Sequence, residues 1–202
     1  MSLQINDLFW TVQGEGRWTG HRALFVRLPF CNYNCPWCDT EFDSYTPMSE
    51  ETFKEFASRE PARFAVITGG EPLAHKDLPK ILNILKSLGF FIACETNGSF
   101  PAPPEIDFVT VSPKPYSKNK NQEKYFIHEQ TLTRASEYKY VVDENFDFTI
   151  LERHNPKKKE VIYSLSPEFS RMKKNVETIM GFIEKNPDWK LSLQTHKWID
   201  IP

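Results

Sequence analysis

The chain has 202 residues, of which 40% are apolar and 26% charged, with a formal net charge of -2; this suits one globular unit with a real core and is too short for two comfortable ones, so a single domain over residues 1–202 is expected. The charge balance leaves no basic surplus for gripping phosphates, and neither a leader nor a membrane-length apolar run is seen, so a cytoplasmic protein with no direct nucleic-acid or membrane partner is expected. In that reducing compartment four cysteines, three of them clustered, point to a metal or redox site before a disulfide framework.

Along the chain, an apolar run of strand length at 23–28 (ALFVRL) is followed by a short helix predicted after Ser49, whose hydroxyl can accept from first-turn amides and which carries Phe53, Phe56 and Ala57. A strand at 63–68 (RFAVIT) leads into a helix with one apolar face, formed by Leu78, Ile81, Leu82, Leu85 and Leu88. Strands follow at 90–95 (FFIACE) and 107–112 (DFVTVS), and then a polar, proline-punctuated stretch between about 113 and 135 reads as a long surface loop or lid. Further strands are predicted at 137–142 (EYKYVV), 160–165 (EVIYSL) and 189–194 (WKLSLQ), with a helix through Met172, Val176, Ile179, Met180 and Ile183 before the last of them. The lysine-rich RHNPKKKE (153–160) reads as a solvated turn. Strands alternating with helices imply βα units around a mainly parallel sheet, whose sites form just beyond the strand ends.

The chemically suggestive motifs fall at those ends. RLPFCNYNCPWCDTEF (27–42) places Cys31, Cys35 and Cys38 within eight positions, while Cys94 lies far away inside an apolar strand and reads as a small buried hydrophobe. A structural zinc site wants four ligands, usually in two pairs; three thiolates can instead hold three irons of a [4Fe–4S] cube and leave the fourth iron open. ITGGEP (67–72) ends the second strand, with glycines that permit close backbone approach and Glu71 able to accept from an ammonium group. ETNGS (95–99) and SPKP (112–115) bring Glu95, Thr96, Asn97, Ser112 and Lys114 to the same rim, where Lys114 suits a carboxylate and the polar third-strand groups a ribose.

Cys-x3-Cys-x2-Cys with Trp37 before the last cysteine, followed one βα unit later by GGE, resembles the radical SAM superfamily. The resemblance implies a [4Fe–4S] cluster on Cys31, Cys35 and Cys38, S-adenosylmethionine chelating the open iron, and a 5′-deoxyadenosyl radical that carries the chemistry, so that no protein residue is assigned as catalytic. It implies cofactor contacts from Trp37, Asp39, Gly69, Gly70 and Glu71, the last receiving the methionine amino group, and from Glu95, Asn97, Ser112, Lys114 and Ser166.

TVQGEGRWTG (11–20), Arg27 with Asp39-Thr40, and the terminal QTHKWIDIP together resemble the 7-carboxy-7-deazaguanine synthase (QueE-type) family over nearly the whole chain, least well at 116–170. That resemblance implies a carbon–nitrogen lyase of queuosine biosynthesis that contracts 6-carboxy-5,6,7,8-tetrahydropterin to 7-carboxy-7-deazaguanine with loss of ammonia, assisted by Mg²⁺ at Thr40. It implies substrate contacts from Val12, Gln13, Gly14, Glu15 and Gly16, from Arg27 as a fork on the carboxylate, from Thr68, and from His196 and the Pro202 carboxylate. A homodimer and a flavodoxin-like or other one-electron reductant are implied partners. The fold implied is α/β, a partial, open (β/α)6 TIM-like barrel of the radical SAM type with shortened helices, since a full eight-fold barrel takes about 250 residues. Where the family commonly carries a glutamine before proline, this chain has Ser166-Pro167. Two other readings stand beside this one: a glycyl-radical-enzyme activating enzyme, and a non-catalytic four-cysteine metal module, which requires Cys94 near the other three.

Overall fold

The computed structural model describes residues 2–154 and 160–202. Its strands are β1 (Ser2–Ile5), β2 (Asp7–Val12), β3 (Arg22–Leu28), β4 (Thr46–Ser49), β5 (Phe64–Gly69), β6 (Phe91–Thr96), β7 (Phe108–Val111), β8 (Glu137–Val142), β9 (Ile162–Pro167) and β10 (Trp189–Leu191), and its helices are α1 (Glu50–Ala57), α2 (Leu78–Ser87), α3 (Glu129–Arg134), α4 (Ile150–His154) and α5 (Met172–Ile183). Among the described residues one eight-stranded sheet runs in the order β10-β9-β8-β7-β6-β5-β3-β2. From β3 to β10 every neighbouring pair is parallel. The strand order never reverses, so the sheet winds in one sense and is a partial barrel left open, as expected. The helices are short: α3 has six residues, α4 has five, and β6 connects to β7 without one.

Strand alternation divides the sheet into two chemistries. On one face Leu24 and Val26 of β3 sit beside Ala65 and Ile67 of β5, which sit beside Ile92 and Cys94 of β6. These pack with Phe53 and Ala57 of α1, Ile81, Leu82 and Leu85 of α2 and Ile179 of α5 in one buried core. The other face is concave. Its lower row joins Phe64 to Phe91, and Phe25 to Val66, Ala93 and Phe108; its upper row joins Arg27 to Thr68, Glu95 to Thr110, Lys139 to Ser164 and Val141 to Ser166. The interior therefore grades from aromatic at the N-terminal ends of the strands to charged at their C-terminal ends.

The loop between β2 and β3 plugs the aromatic end. Trp18 places its ring 5.3 Å from Phe64, 5.3 Å from Phe91 and 5.6 Å from Phe108. The turn leading to it is fixed by the Arg17 amide donating to Glu137 Oε2 (3.1 Å) and the Gly16 amide donating to Ser192 Oγ (3.0 Å). Gly16 has φ +63°, and a Cβ there would press on the Glu137 carboxylate, so glycine is required twice over.

The N-terminal region departs from the sequence expectation, which assigned no strand before residue 23. β2 pairs antiparallel with β3, Phe9 opposite Phe25, and β1 pairs antiparallel with β4 in a separate ribbon. The physical signal lay in the apolar run of DLFWTV, whose Leu8 and Trp10 pack against the core while Phe9 stacks on Phe25 on the other face. Ser49 caps α1 as predicted, its hydroxyl accepting from the Thr52 amide at 3.1 Å. The central residues of RHNPKKKE, 155–159, lie outside the described residues.

Gly181 sits in α5 with open space where a side chain would be. Gly181→Ala is expected to raise stability by about 1 kcal/mol, read as an upward shift of the thermal midpoint; an unchanged or lower midpoint would contradict the packing described for α5.

Candidate active site

The C-terminal strand ends open into one cavity of about 420 Å³, and Cys31, Cys35 and Cys38 all line it. The loop that carries them is held by backbone contact with the end of β5: the Gly70 amide donates to Leu28 O (3.0 Å) and the Glu71 amide to Phe30 O (2.8 Å). A Cβ on Gly69 would overlap the Leu28 backbone and one on Gly70 the Phe30 carbonyl, so the two glycines permit this approach as well as opening the cavity. Burial raises the Cys31 thiol and pushes Cys35 up to about 11, so any metal taken up here displaces protons. Cys94 is fully buried on the helix-covered face of β6. The four-cysteine arrangement therefore does not form.

Most of the residues singled out in the sequence converge on this cavity. Trp37, Asp39, Thr40, Gly69, Gly70, Glu95, Asn97, Ser112 and Lys114 line it, as do Val12, Gln13, Gly14, Glu15, Arg27, Thr68, His196 and Pro202. Three do not. Glu71 turns to the neighbouring strand end, its carboxylate accepting from Thr96 Oγ1 (2.6 Å) and the Asn97 amide (2.7 Å) as well as the Leu73 amide (2.9 Å), which fixes the β5 and β6 ends to each other. Gly16 lies beneath the cavity against Glu137. Ser166 lines an adjoining cavity of about 260 Å³ that meets the first at Glu15, Trp37, Asp39 and Lys197.

Two cations face the cavity without a carboxylate partner among the described residues. Lys114 donates to Ser112 O (2.7 Å) and Ser112 Oγ (2.9 Å), with its ammonium 5.9 Å from the Trp37 ring centre; burial lowers its pKa from the ordinary lysine value, with Cys35 opposing. Arg27 stacks 5.6 Å from the Phe9 ring, and its buried Nε has no acceptor. Both are arranged to receive anionic groups that the chain does not supply.

Lys139, which the sequence reading passed over as part of a strand, ties the two sides of the site together. Its ammonium donates to Glu15 Oε2 (2.7 Å) and Glu95 Oε2 (2.9 Å), and Glu15 Oε1 accepts from Gln194 Nε2 (2.9 Å). Burial works against the Glu15 carboxylate, but Lys139, Gln194 and His196 outweigh it and bring the pKa down to about 2. Burial wins instead at Glu95, which is raised, and loses at Lys139, whose two carboxylates hold it above the ordinary lysine value. The alternation of Glu137 and Lys139 with Tyr138 and Tyr140 was the available sign that these charges face a polar interior.

The C-terminal segment closes the remaining side. Thr195 donates to Gly14 O through its amide (2.9 Å) and its hydroxyl (3.0 Å), and Lys197 pairs with Asp39 beside the cysteine loop. His196 stands so close to Gly14 that a Cβ there would clash with its ring, and burial lowers its pKa.

Residues 25–109 match the Radical SAM superfamily. The QueE structure from Escherichia coli superposes with a TM-score of 0.79 at 31% identity, covering 96% of this chain and 94% of that one. The Streptococcus suis SuiB structure bound to its precursor peptide shares the fold alone, with a TM-score of 0.55 at 12% identity over 83% of this chain and 47% of that one. An open, singly wound parallel barrel with three thiols at the mouth of its first parallel strand is a radical SAM domain. Curated 7-carboxy-7-deazaguanine synthases are similar over their length: that of Neisseria meningitidis is 37% identical over 98% of this chain and 93% of its own, and that of Bacteroides thetaiotaomicron 36% identical over all of both. The chain belongs to the 7-carboxy-7-deazaguanine synthase family.

The donor set fits the cofactors of that class. Among the described residues no three His, Cys, Asp or Glu side chains converge as ligands of a single ion, whereas three thiols around one cavity suit a larger [4Fe–4S] cube with an open iron, and the unpaired Lys114 suits a carboxylate beside it.

Removing the charge at the centre of the site has a defined signature. Lys139→Met leaves Glu15 and Glu95 without their cation and is expected to cost about 3–5 kcal/mol at pH 7. Glu15, depressed to about 2 in the fold, contributes stability that is present above its ordinary value of 4.5 and is lost as pH falls through the folded value. The raised Glu95 has the opposite sense: its burial penalty grows as pH rises through its folded pKa. Denaturation profiles of the two proteins are thus expected to differ most at neutral pH and to draw together below about pH 4.5; a gap that persists unchanged at pH 3 would contradict this ion triad.

Proposed function

We propose that this cavity performs the reaction of its family, converting 6-carboxy-5,6,7,8-tetrahydropterin to 7-carboxy-7-deazaguanine with loss of ammonia, as a carbon–nitrogen lyase of queuosine biosynthesis. The observation that carries the reading is the pair of unpaired cations lining one cavity, Lys114 beside Trp37 and Arg27 beside Phe9, which matches two separate carboxylates: one on S-adenosylmethionine and one on the substrate. When bound, the cluster and S-adenosylmethionine supply the 5′-deoxyadenosyl radical that takes a hydrogen atom from substrate C6.

The chain's own residues bind and orient. Lys114 and Ser112 hold the methionine carboxylate, the Gly69-Gly70-Glu71 turn receives its amino group, and Glu95 and Asn97 reach the ribose. Trp37 and Asp39 border the adenosine side, with Ser166 in the adjoining cavity. Arg27 takes the substrate carboxylate in a bidentate grip. Gln13 and Glu15, fixed by Lys139 and Gln194, read the pterin edge, flanked by Val12, Gly14 and Thr68. His196 and Pro202 complete the wall, while Phe9, Phe25 and Val141 keep water and stray hydrogen donors from the reacting atoms.

Mg²⁺, a hard cation that prefers oxygen ligands and keeps several waters, is placed at Thr40 beside the substrate carboxylate. Residues 1–202 act as one domain, which works in the cytoplasm as a homodimer fed by a flavodoxin-like or other one-electron reductant; the open sheet edge at β2 supports pairing of copies. No described helix is long and apolar enough to cross a membrane. Enclosure of a small cavity by the C-terminal segment favours a small-molecule substrate over the protein backbone that a glycyl-radical activating enzyme would receive.

The test is anaerobic turnover after reconstitution with iron and sulfide, following product by mass. Alanine at Cys31, Cys35 or Cys38 is expected to abolish both the cluster and product, whereas Cys94→Ala keeps both. Arg27→Gln is expected to raise KM roughly ten- to hundredfold, the worth of a hydrogen bond between charged groups. Cleavage of S-adenosylmethionine without deazaguanine would overturn the substrate, and product from a triple-cysteine variant would overturn the site.

A further inference from the structure

The polar stretch expected to be a long surface loop or lid is attached to the cysteine loop. Ser117 forms an antiparallel bridge with Tyr33. On either side of it the Lys118 amide donates to Asn32 O (2.9 Å) and the Asn34 amide to Tyr116 O (3.0 Å). Gln122 Nε2 donates to the Tyr33 hydroxyl at 3.2 Å, and Tyr33, only 1% exposed, cannot move without the segment moving too. A backbone ladder of this kind is a clamp, since a lid must be free to leave.

The clamp bears on one ligand in particular. The Lys118 ammonium donates to the carbonyl oxygen of Cys31 at 2.9 Å, and the Tyr33 amide points at the Cys31 sulfur at 3.4 Å. Among the described residues no carboxylate is paired with Lys118. Its charge therefore stands on the backbone of one of the three cysteines with no carboxylate to offset it. A positive charge and an N–H···S hydrogen bond both favour the more negative, reduced cluster, and the protein's levers on cluster potential are charge, hydrogen bonds to sulfur and exposure.

We propose that Lys118 is a positioning residue of the reaction: seated by the 116–122 clamp on the Cys31 carbonyl, it makes the cluster easier to reduce. The inference rests on the assignment of Cys31, Cys35 and Cys38 as the cluster ligands. It assigns a role in electron uptake to a residue that faces solvent and touches neither S-adenosylmethionine nor substrate.

The experiment compares the reconstituted native chain with Lys118→Gln, which keeps a hydrogen-bond donor without the charge, and Lys118→Arg, which keeps both. Iron per chain is measured for each, and the midpoint potential is taken from a redox titration followed by electron paramagnetic resonance, without S-adenosylmethionine. The expected result is native iron content throughout, with a more negative midpoint for Lys118→Gln. At a fixed poise its reduced-to-oxidised ratio falls about tenfold, equal to about 59 mV for one electron, and Lys118→Arg restores the native value. Full iron with an unmoved midpoint in Lys118→Gln would overturn the inference alone, as would an equal shift in Lys118→Arg, which would trace the effect to packing rather than charge. A native chain that takes up no iron would overturn the cysteine assignment and the inference with it.

Discussion

The structure hangs on the contact between two strand ends. Backbone meets backbone where Gly69 and Gly70 lie against Leu28, Phe30 and Cys31, and nothing larger than hydrogen fits between them. A β-sheet fixes strands only as far as its ladder extends, so the start of the cysteine loop beyond Leu28 depends on contacts from other segments. The two hydrogen bonds donated by the Gly70 and Glu71 amides extend the sheet's order into that loop, and the Glu71 carboxylate passes it on to the next strand by accepting from Thr96 and the Asn97 amide. The motif read in the sequence as a ligand for an amino group is thus first a piece of carpentry.

A second set of contacts brings the distant parts of the chain onto that frame. Lys139 from the middle of the sheet, Glu15 from the loop before β3 and Gln194 from the C-terminal segment form one hydrogen-bonded line, and Glu95 joins it from β6. Burial is unfavourable for each of these charges separately. Together they are compensated, and the arrangement holds only when strand register, loop and C-terminus are all in place. Catalytic geometry and folding specificity are therefore difficult to separate in this protein.

Much of this was legible in the sequence. Seven parallel strands, three helices and the Ser49 cap follow from apolar periodicity, and the convergence of Cys31, Cys35, Cys38, Lys114 and Arg27 follows from their places just beyond or near strand ends. What escaped was information carried by contacts between segments. β2 was hidden because an edge strand with a partly exposed face, such as DLFWTV, gives a weak signal; Lys139 was hidden because a charge in an apolar strand has meaning only when its partners, 124 and 44 residues away, are known. The 116–122 segment has no periodicity because its order is borrowed from the cysteine loop. Glu71 stood out by its motif, whereas its partners Thr96 and Asn97 lie on the next strand end and had no local sign.

The aromatic floor gives the interior an electrical gradient as well as a shape. Trp18, Phe64, Phe91 and Phe108 fill the lower end of the barrel, so the charges above them rest on an apolar layer of low dielectric. Fields between charges at the mouth are correspondingly strong. Replacing one of those rings by a small residue would admit solvent beneath Glu137 and Lys139, and what looks like a change in hydrophobic packing would be felt, two layers higher, as a weakening of every ionic contact in the site.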